Sequence, residues 1–220
     1  MQTFQKVAGV SSLLQALIYI SAFIFFGAFW QYPVSADAAN KLAYLAENQL
    51  VLSVVYLVMY VLFGVLLAVL VIALHHRLKE KMPMLSQLSA VFGVIWVGLV
   101  IASGMLVNIG LASVLATSDS ESAMTLWHMI KVIVEGIGGG NEVVGGLWVL
   151  LLSVAALKGD ELNKGTNYLG LFVGSAGLLT LYPAEVFTEI FGLSQIVWFI
   201  ALGVNLLLPK SSEQLNAKLA

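Results

Sequence analysis

His128, Lys131, Glu135, Asn141 and Glu142 fall within one apolar stretch, 124–157, around the glycine run Gly138-Gly139-Gly140. These residue types exchange protons, pair with charges or ligate metals, and nearly every other hydrophobic segment is free of charge. Ionisable groups inside a membrane-spanning segment are costly to bury, so their presence marks a site. On a continuous helix of about 100° per residue, His128, Lys131, Glu135 and Glu142 share one face about 60° wide. Met129, Ile130, Ile133 and Ile137 lie opposite. Lys131 and Glu135 stand at i,i+4 and can pair across one turn. For His128, Lys131 and Glu135, the solvated edge of an amphipathic interfacial helix serves as well as a site. Glu142 resists that reading. Apolar or small residues follow it until Lys158, which places it in the outer third of a membrane. A carboxylate there must be paired, hydrated or protonated.

Asn108, Tyr56 and Gln195 bring polar groups to a similar depth in other segments, as do Glu189 and Tyr182. The expectation is an outward-facing polar cavity with Glu142 at its floor, a ligand-binding set of Glu142, Asn141, Glu135, Lys131, His128, Asn108, Tyr56 and Gln195. The competing expectation is that each makes one interhelical hydrogen bond, worth about 0.6 kcal/mol. No enzyme constellation is visible: there is no H-E-x-x-H, no phosphate loop and no Ser–His pair at recognisable spacing. No catalytic residue, cofactor or metal is therefore expected, although His128 with Glu135 would contribute to a metal site if a third ligand stood nearby. Three readings follow, in order. The first is a non-enzymatic protein binding a small or lipidic ligand. The second is a small-molecule or proton-coupled transporter in which Glu142 titrates. The third is an intramembrane enzyme using Glu142, Glu135 and His128.

The elements that must position these residues are membrane helices. The 220 residues are 60% hydrophobic and only 10% charged, with a mean hydropathy of +0.97, far from soluble composition. The apolar runs reach the roughly 20 residues needed to cross a bilayer as helix, and they lack the alternation of barrel strands. Six spans are expected, at about 7–30, 50–74, 90–115, 138–157, 167–182 and 186–208, in one all-α transmembrane domain covering 1–220. The run 7–30 is too long for a signal core and is expected to be retained. A helix over 120–137 is expected on the outer side, amphipathic or extended, because 124–157 would be about 50 Å long as one helix. Either it protrudes, or its first half lies at the interface and turns at the glycines. A second surface helix, with Ser35 available as its cap, is expected in the loop 31–49.

Eight of the 10 cations, Lys6, Arg77, Lys79, Lys81, Lys158, Lys164, Lys210 and Lys218, fall on one side of this arrangement. Positive residues stay inside, so both termini are expected in the cytoplasm of a multi-pass inner-membrane protein. Membrane lipids are the expected partners, and a net charge of −2 gives no hint of nucleic acid. Gly170 and Gly174 form a G-x-x-x-G suited to packing within the chain or to a homo-oligomer.

The stretch Asn141-Glu142-Val143-Val144-Gly145-Gly146-Leu147-Trp148-Val149-Leu150-Leu151-Leu152 resembles the Gly-Leu-Trp signature of a bacterial family of six-span proteins, domain of unknown function 4386. The short loop 158–167, the glycine-rich fifth span and the closing 198–208 are similar to it as well. The resemblance covers most of the chain and implies an uncharacterised bacterial membrane protein. It transfers no catalytic residue.

Overall fold

Apolar runs this long can keep their backbone polar groups paired away from water only as helices. A computed structural model of the chain describes residues 2–139, 142–182 and 184–208, and among them every regular element is helical. In chain order these are α1 (Gln2–Ile24) widening into a π-helical segment π1 (Phe25–Phe29), then α2 (Ala38–Glu47). A continuous rod follows, of α3 (Gln49–Tyr56), π2 (Leu57–Leu62) and α4 (Phe63–Leu78), and then α5 (Pro83–Leu115). The second half holds α6 (Ser120–Val134) with π3 (Glu135–Gly139), α7 (Val143–Lys158), α8 (Lys164–Leu179) and α9 (Glu185–Leu207).

Local chemistry sets the helix starts. Asp37, not Ser35, caps α2, accepting from the Asn40 N–H at 2.8 Å. Its extended backbone immediately before the first helical residue is what a capping side chain requires. Asp119 caps α6 through the Ser122 N–H at 2.9 Å. Hydrogen bonds from the Ser122 side chain and backbone hold this exposed carboxyl below its ordinary value. Pro83 opens α5 at a position where a missing N–H costs nothing. The helix therefore begins well before the expected 90, and Ser86 and Ser89 are buried in its first turns.

Among the described residues four rods are long and apolar enough to cross a membrane: Thr3–Phe29, Gln49–Leu78, Pro83–Leu115 and Val186–Leu207. Their outward faces carry exposed Leu17, Val94, Ile109 and Val197, and α8 adds Phe172. Large apolar side chains exposed in such number fit a protein solvated by lipid. α7 and α8 are shorter, with 16 residues each.

The long charged segment is interrupted but does not fold back. Gly110 of α5 meets Ile130 of α6, Trp96 meets Gly145 of α7, and Gly93 meets Trp148. These pairs are in antiparallel register, so α6, π3 and α7 descend in one direction along the 33 residues of α5. α7 and α8 then approach backbone to backbone. A Cβ on Gly146 would stand 2.9 Å from the Gly177 Cα, and one on Gly174 would stand 2.7 Å from the Leu150 nitrogen. The Gly170–Gly174 face is thus filled by α7 of the same chain. α1 and α9 pack likewise, with the Ser12 hydroxyl donating to the Phe199 carbonyl at 2.7 Å.

The main core is aromatic. Trp96, Trp148 and Trp198 are each 1% exposed and stand in a row with centroids 5.6 Å apart. A second cluster, around Leu45, Leu52, Leu111 and Trp127, binds α2 and α6 to the far end of α5. At the opposite end an ion triad joins the α4–α5 turn to the α7–α8 loop. The Arg77 Nε lies 2.9 Å and the Lys81 Nζ 3.0 Å from the buried Glu161 carboxylate. That loop holds Asp160 (φ 51°) and Leu162 (φ 61°) in the left-handed region, which costs a non-glycine residue on the order of 1–3 kcal/mol. The conformation is fixed from several directions. Glu161 donates its N–H to Ala156, Asn167 donates to the Glu161 carbonyl, and Lys81 donates to the Gly159 carbonyl.

Candidate ligand-binding site

Glu142 occupies the N-cap position of α7, in the bridge region of backbone space (φ −99°, ψ 20°), and its side chain makes no capping bond. Main-chain groups hold it in place. Its N–H donates to the Thr180 hydroxyl at 3.0 Å, and its carbonyl accepts from Gly146 at 2.7 Å. Thr180 in turn donates to the Gly177 carbonyl. The cap of α7 is thereby tied to the end of α8 without using the carboxylate.

The side chain instead enters a cavity of about 90 Å³, whose walls come from α1, π2, the start of α4 and the middle of α5. Glu142 as a residue is half-buried, yet its Oε2 is sealed and has no protein hydrogen-bond partner. The Trp96 indole is directed at the carboxyl, but its Nε1 also closes no hydrogen bond. Tyr19 and Tyr60 are within electrostatic reach of the carboxyl from two further walls. Among the described residues no Lys, Arg or His lines this chamber. A cavity needs only about 10–15 Å³ of such volume per water, so it admits a small ligand or several waters.

A second cavity, of about 370 Å³, adjoins the first and shares Met59 and Tyr60 with it. It carries Tyr56 and Lys131, together with Trp30, Tyr32 and Trp127. The Tyr56 and Tyr60 rings stack with centroids 6.0 Å apart. The partition between the cavities belongs to π2, and π1 supplies Phe26 to the second cavity. Single π turns inside helices recur at functional sites because they displace side chains from the regular α register.

The expected set is therefore only partly assembled. Glu142 stands in the inner chamber, and Tyr56 and Lys131 stand behind the Met59–Tyr60 partition. Glu135 is exposed at the start of π3, within electrostatic reach of Tyr60, and His128 is exposed on α6. Asn108 donates to the Gly104 carbonyl one turn back on its own helix, at 3.0 Å. Gln195 is fully buried, lines neither cavity, and has no protein partner for either amide atom. Asn141 lies outside the described residues. Among the described residues no three His, Cys, Asp or Glu side chains come together to hold a metal ion, so His128 and Glu135 find no third ligand there.

The chain matches no family model, no curated protein and no solved structure. The site must be read from its own chemistry. Tyr19, Tyr60, Trp96 and Thr180 escaped the sequence reading because they are uncharged and reach Glu142 from other helices. Only Tyr60 left a trace, four residues after Tyr56 and so on the same helical face. The assembled groups provide one buried carboxylate, two phenols and an indole N–H in an otherwise apolar shell. That set can bind a cation, a proton or a hydrogen-bonding ligand. It contains no activated nucleophile.

Proposed function

We propose that this chain is a six-span protein of the bacterial inner membrane, with both termini cytoplasmic, that binds a small or lipidic ligand in the chamber floored by Glu142. The observation carrying this reading is Glu142, which lines the cavity while its buried Oε2 has no protein partner among the described residues. Buried charges in proteins are paired, neutralised or held for use. Intramembrane enzyme chemistry is disfavoured, because His128 and Glu135 are exposed on α6 and π3 and line neither cavity.

Binding is preferred to transport on packing grounds. Beyond the chamber the α5–α7–α9 region is filled by Trp96, Trp148 and Trp198, and the Glu161 triad at the far end borders a separate cavity of about 560 Å³. A carrier needs a route past these groups. The six-span count is supported by α7 and α8, which pack as a hairpin beside the four longer rods. At about 1.5 Å per residue each is about 24 Å long, a modest mismatch with a ~30 Å hydrocarbon core. The orientation rests on the grouping of Arg77, Lys79, Lys81, Lys158 and Lys164 around one end. The resemblance to domain of unknown function 4386 agrees with the six-span count.

Two experiments test the proposal. The chain contains no cysteine, so single cysteines report topology cleanly. In intact cells Glu121→Cys is expected to react with a membrane-impermeant maleimide, and Lys79→Cys only after lysis; the opposite pattern would overturn the orientation. Native mass spectrometry of the wild-type protein is expected to retain a bound small molecule or lipid that Glu142→Leu loses. An identical adduct spectrum for both proteins would remove Glu142 from the site.

A further inference from the structure

We infer that the Glu142 chamber takes an organic ammonium ion, either a free small cation or the head group of a lipid. The inference rests on the chamber being a binding site and concerns what it selects. Charge decides first. The chamber holds a carboxyl and, among the described residues, no Lys, Arg or His, so an anion finds no positive partner, whereas a cation draws out and compensates the negative charge that this group can carry.

The walls then separate organic from inorganic cations. Calcium and magnesium require six or more oxygen ligands or retained waters. Here, among the described residues, the carboxyl shares the chamber with the phenols of Tyr19 and Tyr60 and the Trp96 indole, and the remaining surface is Ile18, Val100, Met59 and aromatic carbon. Tyr19, Phe63 and Trp96 meet in succession nearly at right angles, at 5.4 Å and 77°, then 5.9 Å and 73°. Rings set this way form adjoining walls of a box. Such boxes hold alkylated ammonium groups, which are attracted to ring faces and shed water readily. An acid at the floor of an aromatic box completes the recognition, and about 90 Å³ suits a head group rather than a whole lipid.

Two neighbouring cavities share walls with the chamber. Ile18, Ala22 and Met59 also line an apolar groove of about 400 Å³ between α1 and the α3–π2 rod, which also includes Phe25, Val54 and Val58. That groove suits the alkyl chain of a lipid whose head group enters sideways. The second cavity lies across the Met59–Tyr60 partition, where a free cation would have to displace those side chains.

The test uses the full chain in phosphatidylglycerol nanodiscs, with tryptophan fluorescence read during titration with choline or its uncharged isostere dimethylbutanol. Choline is expected to give a saturable change, with the isostere weaker by about tenfold or more. Glu142→Gln is expected to erase that preference. Signal from choline itself identifies a free cation. A response absent with choline, but present as retained lipid when phosphatidylcholine or phosphatidylethanolamine is added to the discs, identifies a head group. Equal binding of choline and the isostere, or an unchanged preference in Glu142→Gln, would overturn the ammonium assignment and leave the binding site standing. If no probe binds and no lipid is retained, the assignment and the binding reading both fall.

Discussion

Glu161→Ala is expected to destabilise the protein by about 3–5 kcal/mol, because it strips Arg77 and Lys81 of the buried carboxylate they share. The Glu161 side chain is 3% exposed and that of Arg77 is 9%, so the guanidinium left behind can recruit little water. Lys81 contributes less. Its side chain is 49% exposed, and a charge so well solvated gains about 1 kcal/mol or less from pairing. The backbone adds to the loss. Asp160 and Leu162 keep positive φ values only while their surroundings over-determine the loop, and the Glu161 side chain is one of those restraints.

A double-mutant cycle separates charge from shape. Arg77→Met alone is expected to cost nearly as much as Glu161→Leu alone, whereas the pair together recovers most of the stability, since a buried ion pair is often replaceable by packed apolar groups. Thermal unfolding in detergent micelles, followed by tryptophan fluorescence, reads all four proteins. Single variants costing less than about 1 kcal/mol would show the triad to be a solvated surface feature.

Glu161 also shows where reading from sequence stops. A glutamate in a short loop beside Lys158, Asp160 and Lys164 looks solvated; only the fold turns it inward onto Arg77 and Lys81. The rods were far more legible. The last helix was expected at 186–208 and runs Glu185–Leu207, and the second was expected at 50–74 and lies within Gln49–Leu78. α5 was underestimated because its first turns carry Ser86 and Ser89, polar by type but buried by partners. The Ser86 hydroxyl pairs with His75, and that of Ser89 donates to the Trp148 carbonyl. Hydropathy cannot register polar groups satisfied in that way.

Within the site the same logic divides the residues. Glu142 stood out as a charge in an apolar run. Asn108, equally polar, has its amide met by its own helix, an outcome that residue type alone does not distinguish from a ligand contact. Tyr19 and Trp96 carry no charge and no spacing relative to Glu142, so nothing short of tertiary structure joins them to it. The π turns were invisible for a related reason. They change register by one residue, and periodicity over a window averages that away.

Glu142→Leu is expected to raise the stability of the ligand-free protein while abolishing ligand binding. The structural duties of this residue are discharged by its main chain, the N–H to Thr180 and the carbonyl to Gly146, and both survive any side-chain change. What the substitution removes is a carboxyl oxygen sealed without a protein partner. Burying a polar group uncompensated costs about 1–3 kcal/mol, so a gain of that order is the expected shift in unfolding free energy. Leucine also suits the shell of Ile18, Val100 and Phe63 around it. The opposite trend is expected with ligand: wild type gains stability as ligand concentration rises above its dissociation constant, and Glu142→Leu does not. Crossing of the two stability curves along a ligand titration is the signature of a residue kept for function at the expense of the fold. If Glu142→Leu instead lost stability as a core substitution does, by about 2–5 kcal/mol, the carboxylate would be a structural partner and the chamber would lose its claim to a ligand.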